Sequence, residues 1–150
     1  FEYPILRVVN VQIEKLMTTC PIIPVIVIDS VADAVPLAQA LVNGGLKVLE
    51  VTLRTDCRLE AIKQIKAAVH GMIVGAGTVI TPQDCNNAIA AGAEFLVSSG
   101  STQALVDEAA KSDVPLLVGA AAATEVTTLL ASGIKHTKFF RRKPLAELPC

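Results

Sequence analysis

Short runs rich in Val, Ile and Leu recur along this chain about every 21 to 25 residues, and that period limits the possible folds more than any other feature. The runs occupy residues 22–28, 48–53, 72–74, 95–97, 116–118 and 136–140. Each interval has room for one strand and one crossover helix, so the spacing predicts six βα units and a parallel sheet. Helix-stop signals fall a few residues before the next run, at Asn43-Gly44-Gly45, Ala91-Gly92 and Ser132-Gly133, where glycine suits a left-handed cap. Helix-start signals stand at Ser30, at Thr81 ahead of Pro82, and at Thr102. A further helix is expected at about residues 11–18, preceded by an ill-defined arm over residues 1–10.

Right-handed crossovers at this period fit either a (β/α)8 barrel or an open doubly wound sheet. The dinucleotide fingerprint argues against the second. Gly75-Ala76-Gly77-Thr78 lacks a third glycine, and the first run ends in Ile28-Asp29-Ser30, where the fingerprint would belong. The expected fold is therefore α/β, of the parallel TIM-barrel type, with about six of eight units in this chain.

Composition removes several function classes. Thirteen Lys and Arg against 14 Asp and Glu give a net charge of −1, too little positive charge for a phosphate-tracking surface, so no nucleic-acid partner is expected. Apolar stretches are broken well short of the ~18 residues a membrane span needs, so no membrane partner is expected either. Cys20, Cys57, Cys85 and Cys150 form no CxxC pair and have no His at ligand spacing, which predicts reduced, metal-free thiols and a cytoplasmic location.

The chemistry concentrates on two runs. In Val48-Leu49-Glu50-Val51-Thr52-Leu53-Arg54 the two-residue strand period puts Glu50, Thr52 and Arg54 on one face and Leu49, Val51 and Leu53 on the other. With the apolar face turned to helices, the polar face looks into the barrel, where three polar side chains are costly unless they line a wet cavity. The sixth run places Lys138 on a face with His136 and Phe140. Strands two and six lie opposite each other in an eight-stranded barrel, so Lys138 and Glu50 can meet across the lumen. Placed among Phe139, Phe140 and the barrel wall, the lysine is expected to be desolvated, which favours a neutral, nucleophilic amine. A buried structural ion pair is the alternative. His136 is read as a packed residue. Gly75-Ala76-Gly77-Thr78 is either a tight turn or a device that puts a hydroxyl at a strand's C-terminal end, Ser98-Ser99 has the equivalent position on the fourth strand, and a hydrogen-bonded loop cap with no catalytic role is the alternative for either.

These residues resemble the class I 2-keto-3-deoxy-6-phosphogluconate (KDPG) / 4-hydroxy-2-oxoglutarate aldolase family. "PVIVI", "ALVNGGLKVLEVTLRT", "IVGAGTV", "AGAEFLVSSG" and "KFF" occur in the family's order and at its spacing over about residues 11–140. The resemblance implies a Schiff-base lyase that needs no metal and no organic cofactor. Its substrate would be KDPG, cleaved to pyruvate and glyceraldehyde 3-phosphate, or 4-hydroxy-2-oxoglutarate, cleaved to pyruvate and glyoxylate. It further implies a homotrimer in carbohydrate metabolism, on the Entner-Doudoroff route. Lys138 would form the imine, Glu50 would be the general acid/base, and Arg54 and Thr78 would bind the pyruvate carboxylate. Ser99, where the family usually has Pro, and Gly119, retained from a Pro-Gly-Ile-Ser/Ala-Thr loop that reads Val-Gly-Ala-Ala-Ala-Ala here, would border the substrate. Two other readings are a non-catalytic barrel fragment with a structural or interaction role and a broader 2-keto acid aldolase.

After "KFF" the family continues Pro-Ala-Glu and then supplies two more βα units whose glycine-rich loops hold the substrate phosphate. Here the chain reads Arg141-Arg142-Lys143-Pro144. Codons CCG-GCG-GAA-GCC for Pro-Ala-Glu-Ala, with one C lost, read CGG-CGG-AAG-CC, which is Arg-Arg-Lys-Pro. The chain is accordingly divided into a partial barrel domain, residues 1–140, and an aberrant tail, residues 141–150, expected to be out of frame; a basic surface tail is the alternative.

Overall fold

The computed structural model describes residues 4–140. Its elements run α1 (Pro4–Thr19), β1 (Val25–Ile26), α2 (Val31–Asn43), β2 (Val48–Thr52), α3 (Arg58–Ala68), β3 (Ile73–Gly77), α4 (Pro82–Ala90), β4 (Leu96–Val97), α5 (Gln103–Ala109), β5 (Leu116–Ala120), α6 (Ala123–Ala131) and β6 (Thr137–Phe139). The six strands form one parallel sheet in the order β1-β2-β3-β4-β5-β6. A doubly wound sheet reverses its strand order at a switch point, whereas here every strand joins on the same side as the last, the winding of a (β/α)8 barrel.

The caps follow from local chemistry. Gly45, Gly92 and Gly133 adopt φ of +90°, +95° and +87°, a conformation that a side chain disfavours. Thr81 accepts a hydrogen bond from Asp84 N at 3.0 Å, and Asp84 accepts from Thr81 N at 3.1 Å, so α4 opens with a complete capping box. Thr102 caps α5 from one side only, accepting from Leu105 N. Ser30 occupies the cap of α2 without a side-chain hydrogen bond.

Two apolar layers flank the sheet. Leu49, Val51, Val74, Ala76, Leu96 and Val118 pack outward against α2 to α6 through Ala34, Ala38, Ile62, Ile65, Ala88, Leu105 and Leu129. Val48, Phe95 and Val97 face the other way and meet Leu16 and Cys20 at the end of α1. The leading helix is longer than its sequence pattern indicates: residues 4–10, read as an arm, are helical. The tail at residues 141–150, and Cys150 with it, lies outside the described residues. Among those residues no helix is long and apolar enough to cross a membrane.

Candidate active site

Glu50 sits mid-strand in β2 and is 4% exposed. Lys138, mid-strand in β6, reaches it with Nζ 2.9 Å from Oε2 and 3.2 Å from Oε1. Both side chains project from the inner face, so the contact spans the curved interior from the second strand to the sixth. The Phe140 ring lies against the ammonium, its centroid 5.0 Å from Nζ, a cation–π distance. Phe139 does not take part. It is 68% exposed, and β6 turns it away from Lys138, so the expected enclosure of the lysine by both rings is corrected to one. The lysine side chain also keeps 26% of its accessibility. A cavity of about 310 Å³ adjoins the pair, with Phe95, Val97, Leu117 and Cys20 among its apolar walls.

The neighbouring strand β3 makes room for the carboxylate. A Cβ built on Gly77 would collide with Glu50 Oε1 and would lie 2.8 Å from Cδ, while one on Gly75 would lie 2.5 Å from the Phe95 ring. Both glycines are strand residues, so the tight-turn reading of Gly75-Ala76-Gly77-Thr78 is corrected. The motif ends in Thr78 at φ +60°, the only non-glycine residue with positive φ among the described residues. For a β-branched side chain that conformation is strained, and it occurs here at the C-terminal end of a barrel strand, where such folds build their sites.

Arg54 differs from its sequence reading. β2 stops at Thr52, and Arg54 stands exposed in the following turn, so the alternating-face argument applies to Glu50 and Thr52 only. The bond from Leu53 N to Gly77 O at 2.8 Å is the last between β2 and β3, and the chain then turns towards α3. Thr55 Oγ1 and Cys57 Sγ both donate to Ile28 O, at 2.6 and 3.1 Å, which fixes this turn to the end of β1. Leu53 and Gly77 are thus hydrogen-bonded to each other, and Arg54 and Thr78 follow them at the same end of the sheet.

Ser99 and Gly119 also lie together. A Cβ on Gly119 would come within 2.6 Å of Ser99 C and 2.7 Å of Ser99 O, so only glycine lets β5 approach the end of β4 this closely. Ser98 is fully buried and its hydroxyl accepts from Gly119 N at 3.1 Å, a strand clasp. His136 is half-buried just before β6. The alanine-rich loop after Gly119 is anchored from α6: Glu125 accepts from Ala121 N at 2.7 Å and from Ala122 N at 3.2 Å. These amides hold the Glu125 carboxyl below the usual carboxylate range. Among the described residues no cluster of three or more His, Cys, Asp or Glu is placed to hold a metal ion.

Sequence reasoning missed Gly77 and Phe95 as parts of this site. The available signal was the pair of glycines at alternate positions of a strand, which marks close approach by a neighbouring group.

Comparison with known proteins places this geometry. The profile of the family described as KDPG and KHG aldolase matches residues 13–147. The KHG/KDPG aldolase of Escherichia coli K12 is 45% identical over 127 residues, covering 85% of this chain and 60% of that protein. The crystal structure of the Zymomonas mobilis ZM4 2-keto-3-deoxy-6-phosphogluconate aldolase with 3-phosphoglycerate superposes with a TM-score of 0.83 at 48% identity, over 87% of this chain and 62% of that one. A Legionella pneumophila KDPG aldolase, with pyruvate captured as a covalent carbinolamine intermediate, gives 0.78 at 40% identity, over 93% and 64%. The chain thus spans about 60% of the length of the curated relatives it matches.

Proposed function

The chain belongs to the family of KDPG and KHG aldolases, and on that premise we propose that it carries the imine-forming centre of a Schiff-base aldolase. The substrate is 2-keto-3-deoxy-6-phosphogluconate, cleaved to pyruvate and glyceraldehyde 3-phosphate; 4-hydroxy-2-oxoglutarate, giving pyruvate and glyoxylate, follows the same chemistry. The observation that carries this reading is the contact of Lys138 Nζ with the buried Glu50 carboxylate at 2.9 Å, beside an apolar cavity. An amine becomes a nucleophile only after losing a proton, and a carboxylate in contact with it is the nearest base.

The steps follow from that pairing. Lys138 passes a proton to Glu50 and attacks C2 of the keto acid; Glu50 returns that proton to the carbinolamine hydroxyl, which leaves as water to give a protonated imine and a free carboxylate. Glu50 then takes the proton of the C4 hydroxyl. The C3–C4 bond breaks, its electron pair moves into the imine to give an enamine, and the aldehyde leaves. Protonation at C3 and hydrolysis release pyruvate and regenerate the amine. Arg54 and Thr78, at the same end of the sheet, bind the pyruvate carboxylate, and Ser99 and Gly119 border the substrate. The enzyme so described works in the cytoplasm as a homotrimer, on the Entner-Doudoroff route.

Incubation with pyruvate and borohydride, followed by mass spectrometry, tests the proposal. The expected product is a reduced pyruvate adduct on Lys138. A soluble, folded chain that acquires none there would favour a non-catalytic fragment instead. Cleavage of phosphorylated against unphosphorylated 2-keto-4-hydroxy acids separates the narrow substrate reading from a broader aldolase.

A further inference from the structure

Glu50 pairs in register with Gly75, two positions before Gly77, yet its carboxylate lies over Gly77. Its side chain therefore leans along β2 towards the C-terminal end of the sheet, a direction strand side chains commonly take. There it has β3 backbone on one side and Lys138 Nζ on the other. A single methyl group on residue 77 would occupy the space now filled by Oε1. The group displaced would be the free end of a flexible side chain, so the strand itself need not move. The carboxylate, however, could not keep both its place against β3 and its two contacts with Nζ.

We infer that Gly77 is a positioning residue for the reaction: its missing side chain forms a cradle in β3 that sets where the Glu50 carboxylate stands relative to Lys138. This rests on the aldolase reading, in which Glu50 moves the protons of imine formation and bond cleavage. A proton-transfer group displaced by about 1 Å can cost on the order of a hundredfold in rate. Gly75 has a different task, since its bare Cα accommodates the Phe95 ring rather than a reacting group.

The test is a cycle of Gly77→Ala and Glu50→Asp in the full chain, read by the rate of borohydride-trapped pyruvate adduct on Lys138 as pyruvate is varied. Gly77→Ala is expected to keep the wild-type circular dichroism spectrum and the pyruvate concentration for half-maximal trapping, while the limiting rate falls about tenfold or more. Glu50→Asp alone also slows trapping. Added to Gly77→Ala, however, it raises the rate several-fold, because the side chain is one methylene shorter and clears the new methyl group. Wild-type trapping by Gly77→Ala, or a double variant no faster than Gly77→Ala, overturns the inference. If Gly77→Ala does not fold, recovery of a cooperative melt in the double variant supports the cradle, and failure to recover overturns it. Absence of any adduct on the wild-type chain sinks the aldolase reading instead; the cradle is then judged by the melting temperatures of the same four proteins, where non-additivity supports it and additivity overturns it.

Discussion

Glu50 has almost no contact with solvent, and Lys138 supplies the opposite charge that makes its burial tolerable. Removing the cation should therefore harm the fold as well as the chemistry. Lys138→Met is expected to abolish the pyruvate adduct and to lower stability by about 2 kcal/mol, below the roughly 3–5 kcal/mol of fully buried pairs because the lysine is partly solvated. Adding Glu50→Gln should recover most of that loss, and urea unfolding of the single and double variants measures it. Thr78 presents the opposite case. Its left-handed backbone costs about 1–3 kcal/mol, a strain glycine does not carry, so Thr78→Gly is expected to raise stability by about 1 kcal/mol while raising the pyruvate concentration needed for trapping. Glu50 and Lys138 were legible in the sequence because each lies inside a strand, where alternation assigns a face. Arg54 was not, because the strand ends two residues before it. Gly77 was equally hidden, since a glycine does not announce which neighbour fills its space.

At the scale of elements, the helices are held by local bonds that also order the loops around the site. The capping box of α4 is complete, and Thr81→Ala should destabilise the chain by about 1 kcal/mol, seen as faster hydrogen exchange in α4. α6 has only half of such a box: Ala122 has no side-chain acceptor, and Glu125 alone reaches back to the backbone amides. Because those amides depress the proton affinity of Glu125 in the folded state, its contribution is present above the unfolded carboxylate value of about 4.3 and is lost as pH falls through the folded one. Glu125→Gln should narrow the difference between urea midpoints at about pH 5 and about pH 3. The helix caps at Thr81, Thr102, Gly45, Gly92 and Gly133 were readable because a cap is a contact between near neighbours in sequence. The grip of Glu125 on the alanine loop could have been read from its spacing to Ala122 but carries no cap residue to flag it.

At the scale of the whole molecule, β1 and β6 each pair with a single strand among the described residues, and apolar side chains are exposed beside them. Val25 and Val27 are about half exposed at one edge and Phe139 is 68% exposed at the other. Unpaired edges bearing apolar groups invite self-association. Val25→Lys together with Val27→Lys is expected to reduce light scattering and the apparent mass of the chain, with the circular dichroism spectrum unchanged.

The sequence by itself determined the number of strands, their parallel arrangement, the helix caps and the two strands that carry the lysine and the glutamate. All of these arise from periodicity or from contacts a few residues long, which a linear pattern records. Tertiary structure alone decided the extension of α1 to Pro4, the exposure of Arg54 and Phe139, and the fit of Glu50 over Gly77. Those depend on where strands stop and which side chains meet after the sheet curves, and such distances are set by packing between residues far apart in the chain.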